Sequence, residues 1–110
     1  MQSELEFVFT QPPREENATI QSRFESFDKL NPWVYARLVK MARELKAKGV
    51  RHYGIKSLFE VLRWQFHNQT TDPNSRWHLN NNYTSRFARL IEANCDDLRG
   101  FFELRELKAK

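Results

Sequence analysis

The stretch YGIKSLFEVLRWQF, residues 53–66, constrains the fold of this chain most strongly. Ile55, Leu58, Phe59, Leu62 and Phe66 recur at spacings of three and four, which stacks them on one face of an α-helix. A core helix over 54–66 is therefore predicted, and its apolar stripe demands other amphipathic elements to cover it. Three neighbouring segments supply them.

Asn31-Pro32 marks a helix start, with Asn31 as N-cap and Pro32 at the first helical position, where a missing N–H costs nothing. That helix is expected over 33–48 with Val34, Leu38, Met41 and Leu45 inside, ended by Gly49 in the left-handed conformation. Upstream, Ile20, Phe24 and Phe27 define a helix from about Glu15 that stops before Asn31-Pro32. Downstream, Tyr83, Phe87, Leu90 and Ile91 define one over 81–93, with Arg86 and Arg89 on its other face. The pattern is mainly α.

The ends are less determinate. In ELEFVF, residues 4–9, Leu5, Phe7 and Phe9 alternate like a strand or an extended arm that ends at Pro12-Pro13, and disorder competes with both. Residues 67–79 lose periodicity at the turn composition Asp72-Pro73-Asn74-Ser75, and RWHLN either pairs as a short strand or crosses the surface. Around 101–107, Phe102 and Leu104 alternate with charged residues, so strand and helix both stay open. With 110 residues and 40% hydrophobic content, one core is affordable. The expected organisation is an N-terminal arm, 1–14, and a single helical domain, 15–110.

Charge is segregated along the chain. Residues 31–90 hold eleven Lys/Arg against Glu44, Glu60 and Asp72, a net +8, whereas 1–30 carry −3 and 91–110 carry −1. A clustered excess attracts polyanions, although basic helix faces also serve solubility. Cys95 is the single cysteine, which excludes an intramolecular disulfide and a cysteine-based zinc site. His52, His67 and His78 are too widely spaced for common metal-ligand patterns. Anionic neighbours disfavour a Cys95 thiolate, and no phosphate loop or nucleophile elbow occurs. No enzyme, cofactor or metal is expected. With no apolar span and no signal-peptide pattern, a cytoplasmic protein is the expectation.

HLNNNYTSRFARLI, residues 78–91, sets three asparagines before a helix. One reading is structural: one asparagine caps and another occupies a turn. The other is functional, since a helix N-terminus with Asn82, Thr84, Ser85, Arg86 and Arg89 can hold phosphates and reach base edges. Trp64 and Trp77, each beside an arginine, could stack on bases. Trp64 is assigned to the core; Trp77, in an irregular segment, fits core and surface equally.

The order of helices 33–48, 54–66 and 81–93, with a possible strand at 101–107, resembles a winged helix, a helix-turn-helix variant, and NNYTSRFARLIE resembles its recognition helix. A standard helix-turn-helix joins its last two helices by about three or four residues, whereas 67–79 intervene here; a hairpin inserted there would reconcile the two. The resemblance implies DNA contacts by Asn81, Asn82, Thr84, Ser85, Arg86 and Arg89; on a DNA-binding reading of the basic middle, Lys40, Arg43, Lys56 and Arg63 are the expected backbone anchors. YGIKSLFEVLRW, LNNNYTSRFARLI and DDLRGFFELREL are also similar to small bacteriophage and prophage proteins, across most of 24–107. That likeness implies a bacterial host cell, and either a transcriptional regulator on double-stranded DNA or an inhibitor of a host complex such as a defence system. For an inhibitor docked on an acidic host protein, Trp77, Tyr83 and Arg76 would be the contacts. Oligomeric state is open, although two reading helices one DNA turn apart would require a dimer.

Overall fold

The computed structural model describes residues 9–13, 16–69, 77 and 79–102. Four helices form: α1 (Ile20–Leu30), α2 (Pro32–Ala47), α3 (Ile55–Gln69) and α4 (Thr84–Asn94). Short 3-10 turns lie at Asn81–Tyr83 and Asp96–Leu98. The protein is a small all-α domain, and among the described residues there is no strand, hence no wing or hairpin. Of the stretches 4–9 and 101–107, where a strand is among the expectations, only Phe9, Phe101 and Phe102 are described; the rest, and most of the irregular 67–79 segment, fall outside the described residues.

The apolar stripes pack as their periods require. On α3, Ile55, Leu58, Phe59, Leu62 and Phe66 are all buried. Val34, Leu38 and Met41 are buried on α2, joined by Val39 and Ala42, while Leu45 is half-buried. Phe87 of α4 is the hub where helices meet: its ring lies 4.8 Å from Phe24 and 6.5 Å from Phe27 on α1, and 5.8 Å from Phe59 on α3. Edge-on and tilted contacts of this kind add to the burial energy of the rings.

Helix ends follow local chemistry, with two corrections to the sequence expectations. Helix α1 starts at Ile20 rather than near Glu15, because the Thr19 hydroxyl accepts the Ser22 N–H at 3.0 Å and Asn17 stands in the left-handed region at φ 65°. Asn31 does stand at the N-cap position of α2, but its side chain makes no capping bond. It is completely buried, and its side chain instead accepts the Thr10 N–H at 2.6 Å and donates to the carbonyls of Thr10 at 2.8 Å and Phe27 at 3.0 Å. Pro32 does occupy the first turn. Gly49, at φ 100°, closes α2 in a Schellman motif, with Gly49 N–H on the Lys46 carbonyl and Val50 N–H on that of Leu45.

Asn31 thereby fastens the backbone of the preceding arm. Next to the fastened Thr10, the half-buried Phe9 ring sits 5.1 Å from Trp33, 5.3 Å from Phe66 and 5.5 Å from Trp77. At the other end, Phe101 and Phe102 are buried. A single parallel bridge joins Phe102 to Tyr53, and the Glu92 carboxylate accepts the N–H groups of Gly100 at 2.8 Å and Phe102 at 2.9 Å. Both flanking stretches are thus tied to the bundle by paired backbone groups.

Candidate nucleic-acid interface

The asparagine triplet resolves into distinct roles. Asn80 caps the 3-10 turn, its side-chain oxygen accepting the Asn82 N–H at 2.8 Å. The Thr84 hydroxyl donates to the Asn81 carbonyl at 3.0 Å. That leaves the exposed amide side chains of Asn81 and Asn82 with no hydrogen bond among the described residues. Because the 3-10 turn precedes it, α4 proper begins at Thr84, three residues later than the sequence pattern indicates.

Asn81 and Asn82 both line a groove against α3. Lys56, Phe59, Glu60 and Arg63 of α3 form one wall, and Trp77, Asn81, Asn82 and Thr84 the other, around roughly 360 Å³. Lys56, Glu60 and Arg63 share this flank because they are spaced by four and three. The Arg63 guanidinium stands 5.5 Å from the centroid of the Trp77 ring. Trp77 is in turn wedged edge-on against Phe66 at 5.7 Å and Phe9 at 5.5 Å. A cation–π contact on an immobilised ring limits the places the guanidinium can go. The groove thus offers a positioned guanidinium, an ammonium and two open amides, with one carboxylate, Glu60, among them.

The chain matches no known protein family, no curated protein and no solved structure.

The structure brings together Lys56, Arg63, Asn81, Asn82, Thr84 and Trp77 from the sequence-nominated residues, and places the other described ones elsewhere. Lys40 and Arg43 lie on α2 beside Tyr35, Val39 and Glu44. There Arg43 grips both carboxylate oxygens of Asp97, at 2.9 and 3.1 Å, and Lys46 donates to the Asp97 carbonyl. This pairing holds the Asp97 carboxyl below its ordinary range, chiefly through the hydrogen bond from Arg43. Arg86 reaches α1, donating to the Gln21 side-chain oxygen at 3.0 Å, and to the Asn82 carbonyl at 3.4 Å. Ser85 and Arg89 are half-buried, Thr84 is buried, and Tyr83 is buried against Phe24 and Phe27. Arg76 lies outside the described residues.

Two features escaped the sequence pattern. Glu60 enters the groove, which its i+4 relation to Lys56 and i−3 relation to Arg63 foreshadow. Trp64 is not a core residue: it is 65% exposed, because it lies opposite the Leu58–Leu62 stripe on α3. Of the remaining chemistry-bearing residues, Cys95 is buried with its sulfur 3.7 Å from the Tyr35 hydroxyl, and His52 Nδ1 lies 3.1 Å from the Gly100 carbonyl oxygen.

Proposed function

We propose that the protein is a non-enzymatic DNA-binding protein of helix-turn-helix type, which grips the phosphate backbone in the groove between α3 and the Asn81–Tyr83 turn. The convergence of Lys56, Arg63, Asn81 and Asn82 on one groove carries this reading. A guanidinium and an ammonium suit phosphate oxygens, and amides serve both sugar–phosphate and base-edge contacts. A phage-encoded regulator of phage or host genes is the setting proposed with it. Relative to the sequence expectation, the weight moves from the outer face of α4 to its N-terminal approach, because Arg86 is engaged with Gln21 and Arg43 with Asp97.

Fluorescence-anisotropy titration with a labelled random duplex and a matched single strand, at low and near-physiological salt, tests this. Duplex affinity is expected to fall steeply with salt. Lys56→Ala with Arg63→Ala should weaken binding across all sequences and reduce the logarithmic salt slope by about two, one per lost phosphate contact. Arg86→Ala should do less. Preference for the single strand would overturn the duplex reading. Absence of binding to either would turn the proposal to an acidic protein partner, which the same cations can attract.

A further inference from the structure

The place of the Arg63 guanidinium over Trp77 depends on rings from two distant parts of the chain. Phe66, three residues after Arg63 on α3, meets the Trp77 ring at 5.7 Å and 70°, and Phe9, in the arm before α1, meets it at 5.5 Å and 84°. Arg63 and Phe66 share one helix, so Phe9 is the brace that α3 does not supply. The half-buried Phe9 ring is itself held from three helices, 6.1 Å from Phe27 on α1, 5.1 Å from Trp33 on α2 and 5.3 Å from Phe66 on α3. Its backbone register is fixed next door, where the Asn31 side chain pairs both the N–H and the carbonyl of Thr10. A line of contacts thus runs from the buried Asn31 through Thr10 and Phe9 to Trp77 and the cation in the groove. Phe9 itself is not among the side chains that line the groove.

We propose that Phe9 is a positioning residue for the groove: by bracing Trp77 it keeps the Arg63 guanidinium where a phosphate oxygen is to be met, without touching the ligand. Its role in affinity rests on the proposed grip of DNA by the groove; its coupling to Arg63 does not. Without the Phe9 ring, Trp77 keeps Phe66 as its aromatic brace and can tilt into the vacated space. Arg63 then loses a fixed platform for its cation–π contact and regains side-chain freedom, which binding must remove again. Ordering one long side chain is costly enough to weaken binding by about two- to tenfold. A purely structural Phe9 would alter stability alone, whereas a positioning Phe9 alters the surroundings of Arg63 in the folded chain.

The test reads Arg63 in the ligand-free full chain through the NMR resonance of its Nε–H group, assigned with Arg63→Lys. A guanidinium over an indole face is shifted upfield by the ring current, and Trp77→Leu sets the unshifted position. Phe9→Ala is expected to move the resonance most of the way there, and Phe9→Leu, which keeps much of the apolar volume, to move it less. Val39→Ala, which loosens α2 on the side of Tyr35 and Arg43, controls for lost stability and should leave the resonance in place. In the anisotropy titration with the labelled duplex, Phe9→Ala should weaken binding by about two- to tenfold. Phe9→Ala combined with Arg63→Ala should bind no more weakly than Arg63→Ala alone, because both act through one contact. An Arg63 resonance that Phe9→Ala leaves in its wild-type position, or shifts no more than Val39→Ala does, would overturn the proposal. So would additive losses in the double variant. A wild type that binds no duplex would remove the groove's function and the role of Phe9 in affinity together, while the Arg63 resonance still decides the coupling.

Discussion

Asn31 shows how one side chain can serve three masters. An asparagine in a loop between helices ordinarily caps the second helix, yet here the amide is turned back on the Phe27 carbonyl and outward on both polar groups of Thr10. An amide carries an acceptor and two donors, so it mimics a neighbouring strand and pairs the part-buried N–H and carbonyl of Thr10. Asn31→Ala removes all three bonds from a fully buried site. Urea unfolding should show a loss of about 2–4 kcal/mol, from roughly 1 kcal/mol per bond plus the cost of the void left at a fully buried site. Asn31→Asp should also destabilise, since a carboxylate cannot donate to the two carbonyls.

Among the elements, α3 bears most of the interest because its sides do different work. Its inner stripe fills the core, its Lys56–Glu60–Arg63 flank lines the groove, and its outer face exposes Trp64. Helix α2 shows instead how an element is made to stop. Gly49 holds φ 100°, and a Cβ added there would meet nothing within 4 Å, so the cost of a substitution is one of backbone conformation alone. Gly49→Ala should therefore lower stability by about 1–2 kcal/mol without any packing defect. The check is thermal unfolding beside a far-UV spectrum that stays unchanged. Helix α4 is the most enclosed along its length: even Ser85, Arg86 and Arg89, on the polar side of its pattern, are half-buried.

At the scale of the molecule, contacts distant in sequence join the two flanking stretches to the bundle. Arg43 and Asp97 are 54 positions apart, and their two-point contact ties α2 to the stretch after α4. Because the folded-state pKa of Asp97 is lowered, its contribution is fully present above the ordinary aspartate pKa of about 3.9 and fades as pH falls through the lower folded value. Asp28 acts in the opposite sense, its pKa raised by burial. The difference in unfolding midpoint between wild type and Asp97→Asn isolates the first effect. Wild type should be the more stable at pH 6, and the gap should close on acidification below about 4; a gap independent of pH would refute the assignment. What the sequence alone determined was local: helix identity, the buried stripes of α2 and α3, and the glycine stop at Gly49. Each follows from a period or a backbone preference that operates within a few residues. The tertiary structure decided which flank of each helix a neighbour would cover. That choice put Trp64 in solvent and Arg86 against Gln21, turned Asn31 to Thr10, and gathered Lys56 and Arg63 opposite Asn81 and Asn82. A helical period specifies which side chains lie together on one face, but the partner of that face comes from elements far along the chain, whose approach depends on the packing of the whole core.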